Sequence, residues 1–258
     1  MEVNPLYSVA GVLVGMLVGL TGVGGGSLMT PLLVLLFGFH PTTAVGTDLL
    51  YASATKAVGT VVHGGRDTVD WKIVRRLASG SLPAAVITLS LLAYASDRFA
   101  DVGKSISLVL GFALVLTAGA MLFRRQILER LGPTMRDVSD ARIARFTVVL
   151  GIVLGVLVSL TSVGAGALGM TALLILYPHL PINRLVGSDI AHAVPLTLVA
   201  GIGHWIQGSV DFSLLLSLLI GSIPGIIVGS LIATRVSDRV LTPILAVTLA
   251  IVGVRLLM

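Results

Sequence analysis

A glycine-rich break between two apolar runs occurs twice in this sequence, and it constrains the fold more than any other feature. The first break is residues 19–27 (GLTGVGGGS) and the second is residues 159–167 (SLTSVGAGA). Interrupted backbone in lipid must find its hydrogen-bond partners in protein, water or ligand, because hydrocarbon offers none. Two such breaks at corresponding places in the two halves of a chain predict a binding site inside a membrane transporter.

The composition agrees with a chain that crosses a membrane several times. Only 11% of its 258 residues are charged and 55% are hydrophobic, with a mean hydropathy of +1.03, whereas soluble domains carry about 25% charged residues. The apolar runs lack the alternation of β-barrel strands. The chain has no cysteine, which excludes disulfides and cysteine-ligated metals. The net charge of +5 fits loops that orient the protein in a membrane better than it fits nucleic-acid binding.

The apolar segments predict an all-α polytopic membrane protein. Most approach the roughly 20 residues that a helix needs to span a bilayer. Two of them are near a dozen residues long, and we expect these to be short broken half-helices or re-entrant segments beside eight full spans. The ten segments lie at about 6–20, 28–39, 44–62, 73–95, 105–123, 146–160, 168–178, 186–206, 212–234 and 239–257.

The two halves of the chain are related by an internal duplication, so each repeat holds about five segments. We divide the chain into a first transmembrane repeat at 1–123, a cytoplasmic linker at 124–145 and a second transmembrane repeat at 146–258. Matched pairs, separated by 140 positions and by 141 after a one-residue insertion, include Gly15 and Gly155, Thr21 and Thr161, Pro41 and Pro181, Asp48 and Asp189, His63 and His204, Asp70 and Asp211, and Pro83 and Pro224.

Loop charge predicts that the second repeat is inverted relative to the first. Five is an odd number, so the direction of the chain reverses between repeats if every segment crosses, or if each short hairpin returns to its own side. The loop at 63–75 carries three basic residues and the linker six arginines, which indicates the cytoplasmic side. The matching loop at 207–212 carries none. We expect both termini to be external, in the cell membrane, which would be the inner membrane of a bacterium.

The two breaks are the candidate substrate site. A helix that begins near Leu28 or Leu168 presents unpaired N–H groups and the positive end of its dipole to the preceding loop, which favours a small anion. The alternative is that the glycines only allow close helix crossing. A nucleotide site is disfavoured because the flanks are not a strand and a helix. The candidate binding residues are Thr21, Gly22, Gly24, Gly25, Gly26, Ser27, Thr161, Ser162, Gly164 and Gly166.

Two duplicated carboxylates are candidates for carrying a coupling proton or cation. Asp48 and Asp189 lie within the third segment of each repeat, where a charge is costly unless it is paired or hydrated. His192 lies three residues after Asp189 and shares its helix face, whereas Tyr51 stands in the equivalent place. The alternative is that both carboxylates only stabilise the first turn of a helix.

A lone lysine and two matched histidines complete the candidates. Lys56 has no counterpart in the second repeat, where Thr197 stands, and a lysine at this depth predicts a cavity with an anion or Asp48 as partner. The alternative for Lys56 is snorkelling to an interface. His63 and His204 end their segments, and they either relay protons or serve as dipole partners at the membrane interface.

These residues together resemble the sulfite exporter TauE/SafE family, also called TSUP membrane transporters. The resemblance is carried by Gly15, the break at 19–27, Pro31 and the triplet Gly-Thr-Asp at 46–48, and it covers nearly the whole chain in both repeats. It implies a bacterial, archaeal or plant membrane transporter for sulfite, thiosulfate, sulfoacetate or a related organosulfonate. The second repeat departs from the glycine pattern, with alanine at positions 165 and 167.

We therefore expect a secondary transporter of a small sulfur-containing anion, with ion coupling and a site at the membrane midplane between the repeats. No ATP-binding motif, cofactor or metal site is indicated, and the expected partners are the anion, a coupling proton or cation, and the lipid bilayer. Self-association into a homo-oligomer is left open. Two alternatives remain: a passive anion channel, and an intramembrane hydrolase with Ser27 as nucleophile and His63 as base.

Overall fold

The computed structural model describes residues 5–21, 26–64, 69–96, 102–135, 137–232 and 238–258, and this part of the chain is helical with no strand. Ten helices correspond to the ten apolar segments, and an eleventh lies in the linker. The helices are α1 (Pro5–Thr21), α2 (Gly26–Leu35), α3 (Pro41–Gly64), α4 (Trp71–Ser96), α5 (Val102–Leu122), α6 (Arg124–Met135), α7 (Asp140–Thr161), α8 (Ala167–Leu176), α9 (Ile182–Ile206), α10 (Phe212–Ile232) and α11 (Asp238–Leu257).

The helix lengths confirm a polytopic membrane protein with two short elements. Within the described residues, α4, α5, α7, α9 and α10 are long and apolar enough to cross a bilayer. The short elements α2 and α8 have 10 residues each, about half of what a span needs. Eight full spans were expected, and three of those helices are not among the five. Helix α1 has only 17 residues, α3 has 24 but is more polar because Asp48 and Lys56 lie in it, and the apolar part of α11 that is described covers Thr242–Leu257.

Two parallel helix pairs form equivalent contacts in the two halves of the molecule. Helix α1 packs along α10, and α7 packs along α4, which is the same pairing under the internal duplication. A Cβ added at Gly15 would lie 2.5 Å from the carbonyl oxygen of Ser222, and one added at Gly155 would overlap the carbonyl oxygen of Ser81. Because glycine has no side chain, the two backbones approach closely, as they commonly do at small residues in membrane helices.

Helices α3 and α9, which are equivalent in the two repeats, cross each other at the centre of the molecule. Leu50 of α3 packs against Gly201 of α9, while Ser53 Oγ, further along α3, donates to the carbonyl of Val194, which lies earlier on α9, over 3.4 Å. The contacts therefore run in opposite directions along the two chains, and the helices are antiparallel. The contacts between α5 and α11 also run in opposite directions along the two chains, so these helices are antiparallel as well.

A matched pair of loop hydrogen bonds fixes the beginnings of α3 and α9. The N–H of Asp70 donates to Ser188 Oγ over 2.8 Å, and the N–H of Asp211 donates to Thr47 Oγ1 over 3.0 Å. The two aspartate carboxylates then accept N–H groups from the first turns of α4 and α10, each over 2.9 Å, as N-cap side chains do. Each helix crossing is thus anchored by the loop of the opposite repeat, one residue before Asp48 or Asp189.

Candidate functional site

A cluster of ionisable side chains is buried where α3 and α9 cross. Asp48 and Lys56 come from α3, Asp189 and His192 come from α9, and none of the four is more than 7% exposed. Ionisable groups inside a membrane protein are expensive and are usually retained because they bind substrates or ions. The structure thus joins four of the candidates in one place.

Both carboxylates lie two turns inside their helices, so the first-turn interpretation is wrong. Helix α3 begins at Pro41 and α9 at Ile182, which makes Asp48 and Asp189 the eighth residue of each helix. The apolar pattern placed the starts three to four residues too late because the first turns are polar. At this depth the nearby N–H groups are already bonded within the helix, and a carboxylate there does not act as a cap.

Asp48 is held by the short helix α2. Its Oδ2 accepts the Thr30 hydroxyl over 2.5 Å and the Thr30 backbone N–H over 3.2 Å. Its Oδ1 is buried and has no hydrogen-bond partner among the described residues. The Ser162 hydroxyl, at the second glycine-rich break, faces this carboxylate and is also buried without a partner in the described part of the chain. Asp48 therefore joins α3 to α2 through Thr30 and lies near the second break.

Asp189 lies against the other short helix in a barer setting. A Cβ added at Gly169 of α8 would lie 2.7 Å from Asp189 Oδ1, so the carboxylate touches bare backbone there. That oxygen is buried and has no hydrogen-bond partner within the described ranges. The charge that faces Asp189 is the ammonium of Lys56.

Lys56 reaches across the repeat boundary to the second break. Its Nζ donates to the carbonyl of Ala165 over 3.3 Å, and it lies close enough to Asp189 and Asp48 to interact with both charges. The side chain is buried inside the molecule. The snorkelling interpretation is therefore wrong. The lysine faces the interior of the protein, as the prediction of a cavity around Lys56 requires.

The second break has the backbone shape that glycine permits. Ser162 ends α7 at φ 57°, and Gly164 and Gly166 have φ of 120° and 130°, a region that side chains strongly disfavour. The Thr161 hydroxyl donates to the Leu157 carbonyl over 2.6 Å and accepts the N–H of residue 163 over 3.1 Å, which closes the end of α7. Helix α8 then begins at residue 167, two residues after the carbonyl that the Lys56 ammonium contacts.

The first break is described only at its edges. Gly22, Gly24 and Gly25 lie outside the described residues. Thr21 is the last residue of α1, and α2 begins with Gly26 and Ser27, two residues earlier than the apolar pattern predicted.

The histidines of α9 contact different neighbours. His192 Nε2 lies 2.7 Å from Ser81 Oγ of α4, and its Nδ1 has no partner among the described residues. His204 Nε2 donates to the carbonyl of Ser159 over 2.8 Å, and the side chain is fully buried. His204 therefore joins α9 to α7 and is not an interface residue. His63 lies in α3, and its side chain is outside the described part.

Sequence reasoning missed three residues at this site. Thr30 and Ser81 contact Asp48 and His192, but a lone hydroxyl in an apolar segment gives no signal of its partner. Pro195 lies inside α9 and removes the N–H that would bond the carbonyl four residues earlier. The sequence does show this proline within an apolar segment, and such a proline indicates a backbone carbonyl that lacks its helical hydrogen bond.

The family assignment follows from comparison with known proteins. The sequence model of the family described as sulfite exporter TauE/SafE matches residues 7–256. The chain belongs to the TauE/SafE family. The protein is accordingly a membrane transporter and not an enzyme, which excludes the intramembrane hydrolase.

Relatives from bacteria and archaea carry transporter names. The chain is 40% identical over 205 residues to the probable membrane transporter protein YjnA of Bacillus subtilis, covering 79% of this chain and 80% of the relative. It is 29% identical to YdhB of the same species, over 79% and 80% of the two chains. It is 23% identical to MJ0441 of Methanocaldococcus jannaschii, over 80% and 74%. No solved structure matches this chain.

Proposed function

We propose that this TauE/SafE protein is an ion-coupled secondary transporter of a small sulfur-containing anion, which it binds at the membrane midplane between the repeats. Sulfite, thiosulfate and organosulfonates are the substrate class. The observation that carries the proposal is the contact of Lys56, from the first repeat, with the carbonyl of Ala165 in the break that precedes α8 of the second. A cation and a helix N-terminus at one buried point both favour an anion.

The anion would take the place of contacts that Lys56 makes in this structure. An oxyanion beside the break accepts hydrogen bonds from the ammonium and from the first N–H groups of α8, and such charge-assisted bonds are about twice as strong as neutral ones. Thr21, Gly22, Gly24, Gly25, Gly26 and Ser27 would supply the equivalent surface from the first repeat.

Ion coupling follows from the charge of the cluster. Asp48, Asp189 and Lys56 together carry one net negative charge when all three are ionised. An incoming anion adds to that charge in a region that water does not screen well, which is unfavourable. Uptake of a proton or a cation by Asp48, Asp189 or His192 offsets the added charge, so anion and ion would move together.

An inverted arrangement of the repeats supports alternating access. The antiparallel contacts of α3 with α9 and the opposite charge of the equivalent loops both favour inversion, with the termini outside. Inverted repeats commonly rock against each other around a central site formed by broken helices. We therefore infer that α3 and α9 form the axis of that motion.

Thiosulfate counterflow in proteoliposomes tests the proposal, with Lys56→Ala as the variant and Lys72→Ala as its control. Lys72 lies at the exposed start of α4, so its removal should leave uptake unchanged. Loss of the charge-assisted contact at Lys56 should weaken binding by about 10- to 100-fold. Carboxylates should not compete.

The same measurement separates a transporter from a channel. Saturable uptake that is accelerated by substrate on the opposite side supports alternating access. Uptake that rises linearly with concentration and ignores the opposite side would refute it, and equal uptake by the Lys56 and Lys72 variants would refute the site.

A further inference from the structure

The two repeat-equivalent carboxylates differ in the hydrogen-bond donors that surround them. Asp48 Oδ2 accepts two hydrogen bonds from Thr30, through its hydroxyl and its N–H. Position 170 is equivalent to position 30, and it holds methionine. Asp189 therefore lacks the hydroxyl donor that Asp48 has, and one of its oxygens lies against the bare backbone of Gly169.

This difference decides how each carboxyl group tolerates burial. A buried carboxylate is stable when donors replace the water it has lost, and it favours the neutral, protonated form when they do not. Asp48 has the Thr30 donors, and the Ser162 hydroxyl faces it as well. Asp189 accepts no hydrogen bond from the described residues, whereas Asp48 accepts two. The Oδ1 atom of each carboxylate is buried without a partner in this part of the chain, so the Thr30 donors are what distinguish them.

We propose that Asp189 is the residue that takes up the coupling proton, while Asp48 stays ionised because the Thr30 donors hold its carboxylate. This assignment rests on the proposed function. Asp48 and Asp189 were both candidates for carrying the coupling ion, and the assignment gives that role to Asp189 alone. A proton from solution bonds to Asp189, and its charge is neutralised. Lys56 then faces one carboxylate charge instead of two, so its ammonium attracts the incoming anion more strongly.

The charged groups around Asp189 agree with this division. Lys56 of α3 faces it directly, and His192 lies one turn later on its own helix, hydrogen-bonded to Ser81. Helix α8 carries no ionisable residue. The basic residues of α4 lie in its first turns, where two of them pair with Asp140 at the start of α7. Lys56 is therefore the cation whose pairing changes when Asp189 is protonated.

Paired asparagine variants in proteoliposomes test the assignment. Thiosulfate is the probe because it stays a dianion over the working pH range, and a trapped pH dye reports proton movement. Asp189→Asn should lose thiosulfate-driven proton movement and the pH dependence of uptake, and the thiosulfate counterflow that it retains is measured in the same vesicles to show that the site still binds thiosulfate. Asp48→Asn should lower counterflow by about 10-fold or more and keep the pH dependence of the uptake that remains.

A third variant keeps the test decisive if Asp48→Asn does not fold. Thr30→Val removes one donor to Asp48 and should leave the pH midpoint of uptake where it is, because Asp189 sets it. A shifted midpoint in Thr30→Val, or proton movement retained by Asp189→Asn, would overturn the assignment. A parent protein that moves no thiosulfate and no sulfite would instead refute the proposed function, so the two failures are distinct.

Discussion

Substitution of Gly155 by alanine should weaken the contact of α7 with α4 and disturb the site through Ser81. An added Cβ at position 155 would overlap the Ser81 carbonyl oxygen and would lie 2.9 Å from Ser81 Cα and from Ala84 Cβ. Ordinary carbon contacts lie at about 3.5–4.0 Å, so the helices must separate locally by roughly 1 Å.

The expected loss of stability follows from two opposing effects. Overpacking of a well-packed contact typically costs about 1–3 kcal/mol, and the better helix propensity of alanine returns up to about 1 kcal/mol. A net loss of about 1–2 kcal/mol in the free energy of unfolding is expected. The separation also displaces Ser81, whose hydroxyl lies 2.7 Å from His192 Nε2.

Thermal unfolding of the detergent-solubilised protein measures the effect, followed by the fluorescence of its two tryptophans. Trp71 begins α4 and Trp205 lies near the end of α9, so both helices that Ser81 connects are monitored. Gly119→Ala is the matched control, because an added Cβ there meets nothing within 4 Å. Equal unfolding temperatures for the alanine variants of Gly155 and Gly119 would refute the close contact.

Three further predictions concern polar contacts. Ser81→Ala leaves both ring nitrogens of His192 without a partner among the described residues and should cost about 1–3 kcal/mol in thermal or denaturant unfolding; an unchanged midpoint would mean that water replaces the serine. His204→Phe removes the bond to the Ser159 carbonyl and should destabilise the protein by a similar amount without moving the pH profile of uptake, and a moved profile would instead indicate a proton relay. Asp140→Asn weakens the ion pairs with Lys72 and Arg76 of α4, in which Asp140 itself is 64% exposed. Its unfolding temperature should therefore change little, and a large drop would mean that the mostly buried Arg76 depends on this pair.

The sequence predicted the helices well because hydrocarbon imposes a local rule. Every backbone group must be bonded within its own segment, so apolar length and glycine content alone indicate where helices run and where they break. The short helices α2 and α8 were recognised in this way. The starts of α3 and α9 were missed because their first turns are polar and hydropathy does not detect polar helix.

The partners of the buried polar groups could not be read from the sequence. Asp70 and Asp211 were visible only as a matched pair, although each caps a helix and bonds the opposite repeat. His204 was assigned between a relay and an interface residue, and it turned out to be buried against α7. Such outcomes depend on which helices pack together, and no local pattern contains that information.

The sequence by itself determined that the chain spans a membrane and carries charges at unusual depth, and it predicted an internal duplication, since composition and repetition are properties of the residues alone. Only the tertiary structure decided which charges meet. Thr30 and Asp48 are 18 positions apart, Lys56 and Ala165 are 109, and Ser81 and His192 are 111. Helix packing brings these groups within hydrogen-bonding distance because each must replace the water that it lost on burial, and burial is set by the whole fold.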